Sequence, residues 1–416
     1  MKEIKRPEVL SPAGDPEKLE AALRFGADAV YLAGKSFGMR AASDNFSIEE
    51  LKRATELTHS YGKKIYLTLN TMPHGGEYPE LRRFLGELRY VGIDAVIVAD
   101  LGVLAEVKSL LPDMEIHIST QASICSPAAA VEYAKMGASR LVLARELTLP
   151  EIRAIREALP ERVELEAFVH GAMCVSYSGR CMFSNQLTGY DANRGECKQP
   201  CRWSYTLLEV KRPDLPIPVE ENEQGTFIMS SRDMCAIELI PELIDAGVNS
   251  FKIEGRVKSA YYTAVVTNAY KMAVEAYLAD PEGYKFEPAL MTELESVSHR
   301  EYCRGFYKHT PTELANLCST SGYIREKAYL ALADEDAAAG EMCRFVQRNK
   351  LFANETVELI SPGKLGRKMT VKDLSDAEGS AIDCAPHPGM IFYCRAPFDI
   401  KKYDILRAGG EESTGR

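Results

Sequence analysis

Residues 9–33 read VLSPAGDPEKLEAALRFGADAVYLA: a short apolar run, a polar turn, an amphipathic helical segment, a glycine, and a second apolar run. The same unit recurs, with Gly26 before ADAVYLA, Gly62 before KKIYLTLN, Gly92 before IDAVIVAD, Gly137 before ASRLVLA and Gly247 before VNSFKIEG. A glycine there marks a helix that stops in the left-handed conformation, where a side chain would be penalised. Two further helices end at Leu-Pro instead, before DMEIHIST and before ERVELEAFVH.

Working outward, the strands fall at Val9–Ser11, Ala29–Ala33, Ile65–Asn70, Ala95–Ala99, Ile116–Thr120, Leu141–Ala144, Val163–Val169 and Ser250–Glu254. The segments between them carry three-four spacing, as in Leu51, Ala54, Leu57 and Thr58, with Ser47 as the expected helix cap. Eight strands each followed by a helix predict an α/β fold, a (β/α)8 TIM-like barrel. A doubly wound open sheet is the alternative, because element order alone does not close a barrel.

The barrel domain is expected over residues 1–285, with a cysteine-rich insertion at 170–230 after strand seven and a connector at 286–320. From 321 to 416, short β-type runs separated by glycine, asparagine and proline turns predict a small C-terminal antiparallel β-barrel. Two runs at the end of the insertion, SYTLLEV and TFIMSS, read as a hairpin, and SRDMCAIELIPELIDAG as the seventh helix.

Composition narrows the function. The chain has 416 residues, a net charge of −10 and 46% hydrophobic residues, which is an ordinary globular balance and not that of a basic nucleic-acid coat. Within Arg344–Lys372, however, seven Lys or Arg face two Glu, which offers an RNA-contacting patch or a solvated strand face. No long apolar span and no signal-peptide pattern appear, so a cytoplasmic protein without membrane contact is expected.

In a reducing compartment, clustered thiols mean metal or catalysis more often than disulfides. Four of the eleven cysteines, Cys174, Cys181, Cys197 and Cys201, lie within Glu166–Arg202 at C-x6-C-x15-C-x3-C spacing. Structural zinc sites usually pair two short knuckles, whereas here only the second pair is close. The wide loop suits a bulkier iron–sulfur cluster, with zinc as the alternative. Cys235 would compete for a vacant ligand position, or else packs at a helix start; Cys125, Cys343 and Cys384 read as small buried hydrophobes.

If the barrel closes, its working face is the C-terminal rim of the strands. There lie Arg145, Lys252 and Arg256, with Arg40 in the loop after strand two, a cationic set suited to an anionic small molecule. His170 and Glu254 are the acid–base candidates on the same rim. No HExxH, GxSxG or phosphate-loop pattern is present, so zinc proteolysis, serine hydrolysis and P-loop chemistry have no support.

Glu166, Phe168, Gly171, Ala172, Cys174, Gly179, Cys181 and Ser184 form ExFxxGAMCxxxxGRCxxS. With the opening EVLSPAG, the loop residues Arg40, Ala41, Asn45 and Phe46, and KIEGR at Lys252–Arg256, this resembles the collagenase-like peptidase family U32 over about Val9–Leu278. The family name implies a peptidase. Its better understood members imply something else: oxygen-independent hydroxylases that carry a 4Fe-4S cluster and take a hydroxyl group from prephenate. One branch forms 5-hydroxyuridine at the tRNA wobble position, another acts on a cytidine of ribosomal RNA, and a third acts on the ubiquinone ring. This chain looks most like the tRNA branch. The resemblance then implies Cys174, Cys181, Cys197 and Cys201 as cluster ligands, tRNA and prephenate as partners, and a paralogous family member as a further candidate partner. A collagenase-like peptidase and a zinc-stapled RNA-binding protein without catalysis are the alternatives.

Overall fold

A computed structural model describes residues 5–39, 44–203, 221–222, 225–226, 231–311, 318, 323–324 and 327–409. The strands of the repeat are β1 (Glu8–Pro12), β2 (Ala29–Ala33), β3 (Lys64–Leu69), β4 (Ala95–Val98), β5 (Glu115–Ile118), β6 (Arg140–Val142), β7 (Glu164–Ala172) and β8 (Ser250–Ile253). Each pairs in parallel with the next, and β8 pairs with both β7 and β1, so the sheet closes and the open-sheet alternative falls. All five repeat glycines adopt positive φ, between 67° and 98°, as helix stops require. Ser47 caps its helix through a reciprocal bond with Glu50.

Alternation along the strands divides the core. Val9, Val30, Leu32, Ile65 and Leu67 face the helices in one large apolar cluster, while Leu10, Tyr31, Tyr66 and Ile97 line the barrel interior. That interior also holds charge. Arg140, 4% exposed, reaches Glu8 and Glu164 at 2.7 Å each and Glu166 at 3.2 Å, and Lys252 binds Glu166 at 2.6 Å. Burial alone would raise the Glu166 carboxyl, but Lys252 and Arg140 hold it below its ordinary range.

Two elements differ from expectation. β7 outruns the barrel wall, and the head of the expected seventh helix, Asp233–Cys235, is a strand paired antiparallel to that overhang. An overhanging strand leaves backbone N–H and C=O groups open, and this strand satisfies them; helix follows only at Ile240–Asp245. The connector packs onto the barrel. It forms a helix, Ala289–Glu295, and a short strand, Tyr302–Cys303, that extends the same sheet, and its Arg300 is locked to buried Asp233 at 2.7 Å. Of the expected hairpin, SYTLLEV and most of TFIMSS lie outside the described residues; Glu221–Asn222 and Gly225–Thr226 pair antiparallel.

The C-terminal unit is a seven-stranded sheet in which every pairing is antiparallel. Its two edge strands, Arg367–Thr370 and Lys372–Ser375, are separated in the chain only by Val371, so the sheet curls round on itself. Phe345 and Phe392 stack inside it, each contributing roughly 1.5–3 kcal/mol by burial. Arg407 ties this unit to the connector helix through Glu293 at 2.8 Å, and Arg24 ties it to the barrel through Asp404 at 2.7 Å.

Candidate functional site

Gly171 marks where β7 leaves the barrel. Its φ is 103°, and a Cβ there would stand 2.3 Å from the Glu254 carbonyl oxygen, so only glycine allows β7 and the end of β8 to approach this closely. Beyond it, residues 174–203 fold as short turns around one helix, Phe183–Thr188. Such a polar loop holds shape only if it is anchored. Glu146 accepts from the Ser178 amide at 2.6 Å and its hydroxyl at 2.8 Å, and Arg180 Nε donates to the Gln121 carbonyl at 2.9 Å. Farther along, Arg194 clamps Glu77 with two bonds of 2.8 and 2.6 Å, which draw the Glu77 carboxyl down to about 2. Asn193 brackets the Cys181 backbone, bonding its amide at 3.2 Å and its carbonyl at 2.9 Å.

So anchored, the loop turns Cys174, Cys181, Cys197 and Cys201 into a single recess. None is in a disulfide; Cys174 and Cys197 are exposed, Cys181 and Cys201 half-buried. Cys181 Sγ accepts the Phe183 amide at 3.3 Å and Cys197 Sγ the Gln199 amide at 3.4 Å, which fixes both sulfurs toward the recess side of the loop turns. Burial pushes the Cys201 thiol up, opposed by Arg202 and reinforced by its three companions. Among the described residues, no three His, Cys, Asp or Glu close upon a single ion. The four thiols line one recess and are the residues that could hold a metal ion or a cluster there.

The recess runs on into the mouth of the barrel. Met39, Thr120, Gln121, Arg145 and Glu254 line both halves. The Arg145 guanidinium lies 3.9 Å from the centre of the Phe168 ring and donates from Nη1 to the Ala172 carbonyl at 3.2 Å, while its buried Nε has no partner among the described residues. Arg256, 3% exposed, lines the mouth as well. Lys252 sits there but is already held by Glu166, so its charge is largely spent on the barrel interior. Glu254 is nearly buried, with its amide donating to the His170 carbonyl at 2.8 Å. Arg40 lies outside the described residues.

His170 is not brought to this recess. Simple alternation from Phe168 would aim it inward, but the β7–β8 register shifts between Lys252 and Ile253, so His170 pairs with Ile253 and turns away. Its ring is buried among Tyr262, Tyr270 and Tyr302, with the Tyr270 and Tyr302 hydroxyls each 3.4 Å from a ring nitrogen. Burial drives it well below the usual histidine range, so it stays neutral. The acid–base expectation for His170 therefore fails on geometry. Cys235 is likewise a core residue, 4% exposed, and pushed up to about 12 by burial. The anchors Glu77 and Arg194 went unforeseen; they stand 117 positions apart, and nothing local in the sequence pairs them.

The comparisons agree with this architecture. Residues 14–316 match Peptidase family U32, and residues 325–407 match the Peptidase family U32 C-terminal domain. The chain is 35% identical over 408 residues to tRNA hydroxylation protein P1 of Bacillus subtilis, covering 97% of this chain and 95% of that protein. It is 40% identical over 275 residues to a 23S rRNA 5-hydroxycytidine synthase of Escherichia coli, covering 66% of this chain and 40% of that protein. It is also 34% identical over 333 residues to a collagenase of Porphyromonas gingivalis, covering 78% of each. The chain belongs to peptidase family U32.

Proposed function

We propose that this protein is an RNA hydroxylase that works without molecular oxygen, forming 5-hydroxyuridine at the tRNA wobble position with prephenate as hydroxyl donor. A 4Fe-4S cluster would be held by Cys174, Cys181, Cys197 and Cys201. The observation that carries this reading is the continuity of the recess: four thiols occupy one half, Arg145 and Arg256 line the other, and Glu254 stands at the join. Similarity to a tRNA hydroxylation protein over nearly the whole chain supports RNA as the substrate class.

When bound, the cluster would supply redox chemistry that side chains lack. The residues of this chain bind and orient. Arg145 and Arg256 offer charge-assisted hydrogen bonds to a dicarboxylate, and the Phe168 ring holds the Arg145 guanidinium flat for that purpose. Glu254 lines the same mouth, so a ligand held there must turn a hydrogen-bond donor, and not a carboxylate, toward it.

The peptidase alternative needs a nucleophile beside a base, and His170, the nearest histidine in sequence to Cys174, faces tyrosines. Nucleoside mass spectrometry of tRNA from a deletion strain is the test. The hydroxylated wobble uridine should vanish, return with the intact gene, and fail to return with Cys174→Ser. Unchanged nucleosides in the deletion strain would sink the proposal.

A further inference from the structure

Large aromatic side chains are usually covered, yet Tyr190 and Trp203 on the cysteine loop that forms the lip of the recess, and Tyr323 lining it, are 46%, 45% and 42% exposed. Two of them, Tyr190 and Tyr323, carry a cation over the ring. Lys258 Nζ lies 4.2 Å from the centre of the Tyr323 ring, whose hydroxyl accepts from Arg202 Nη1 at 3.0 Å. Lys198 Nζ lies 4.0 Å from the centre of the Tyr190 ring, and Trp203 directly follows Arg202. Arg202, Lys258 and Tyr323 line the recess together with the four thiols. On a chain of net charge −10, residues 174–203 carry four Lys or Arg against two Asp or Glu.

We propose that this lip is a stacking platform for unpaired RNA bases, in which Tyr323, Trp203 and Tyr190 receive base faces and Lys198, Arg202 and Lys258 meet the phosphates. The proposal rests on the reading of the protein as an RNA-modifying enzyme and adds where and in what form the RNA is held. Exposed rings interleaved with cations are the chemistry of single-strand recognition, because an unpaired base offers its face and its phosphate within one nucleotide. A duplex buries those faces in its own stack.

The basic run Arg344–Lys372 fits this role less well. Arg344 is paired with Asp334 at 3.3 Å, Arg348 with Glu17 at 3.1 Å, and the Arg367 guanidinium sits 4.1 Å from the centre of the Phe398 ring. Three of its seven cations are thus engaged with the protein itself, and none of the seven lines the cysteine recess.

Trp203 is the only tryptophan in the chain, so its emission reports on the platform directly. Full-length protein purified without oxygen would be titrated with an RNA hairpin bearing an unpaired loop, with a fully paired RNA duplex of similar length, and with denatured collagen. The hairpin should quench Trp203 and the duplex should not. Tyr323→Ala should weaken hairpin binding about tenfold, and Lys198→Gln should lower the slope of log affinity against log salt by about 0.7. Equal binding of hairpin and duplex, quenching by denatured collagen alone, or unchanged affinity in Tyr323→Ala would overturn the platform. If the hairpin behaves as expected but the wobble nucleoside does not depend on this protein, the platform stands and the hydroxylase reading falls. If the nucleoside depends on the protein while Tyr323→Ala and Trp203→Ala bind normally, the reverse holds.

Discussion

Seven of the eleven cysteines fall into two contrasting environments, while Cys125 and Cys384, expected to be buried, are exposed and half-buried. Cys174, Cys181, Cys197 and Cys201 sit in a polar loop, exposed or half-buried around one recess, two of them accepting backbone amides. Cys235, Cys343 and Cys394 are sealed in apolar cores, where burial pushes each thiol up to about 12. The metal ligand is the thiolate, so a thiol kept protonated by its surroundings is chemically silent. The difference teaches that ligand capacity here comes from the loop and its anchors, since the residue type is common to both groups.

The sharpest way to break the comparison is to exchange roles. Cys181→Ser should abolish bound iron and reduce tRNA hydroxylation by about a hundredfold or more, whereas Cys343→Ser should leave both intact. Iron analysis of anaerobic protein with nucleoside mass spectrometry measures this; iron retained at position 181→Ser would erase the distinction. Next in size is Arg145→Gln, which removes a charge-assisted bond in the other half of the recess without touching a thiol. The KM for prephenate should rise about tenfold to a hundredfold, with bound iron unchanged. Titration kinetics decide it, and a loss of iron would show that Arg145 serves the loop instead.

Smaller effects sharpen the buried side. Cys394→Ala, inside the C-terminal sheet and 0% exposed, should lower stability by about 1 kcal/mol in denaturant titration with full iron content. The same burial acts on imidazoles. His299 is pushed from 6.5 down to about 4, and His170 also lies well below the ordinary value. Both are neutral when folded, so below 6.5 the unfolded chain takes up more protons; the stability they contribute is present above 6.5 and is lost as pH falls towards 4. Melting temperatures across that window should fall less steeply for His299→Leu than for the parent, and parallel curves would contradict this assignment.

Much of this was legible because the signals are local. A glycine before each strand announces a helix stop, and Gly26, Gly62, Gly92, Gly137 and Gly247 all take the positive φ that only such a position demands. The cysteine spacing, likewise local, marked the loop. What depended on packing across the chain was not legible. The register shift that turns His170 away arises between two strands far apart in sequence, and simple alternation misses it. Lys252 reads as a rim cation until Glu166, across the barrel wall, is seen to hold it. Asp233–Cys235 carries a helix-like context, and only the overhang of β7 explains why it is a strand.

That overhang has a bearing on how such a protein is assembled and diversified. The chain departs at Ala172 and re-enters at Asp233, and these two residues are direct partners in the sheet. The whole excursion thus stands on two feet one strand spacing apart. Lengthening it between its anchors, Ser178, Arg180 and Arg194, adds a closure cost that grows only slowly with length. The barrel closes through the pairing of β8 with β7 and β1, with no described strand of the insertion in its wall.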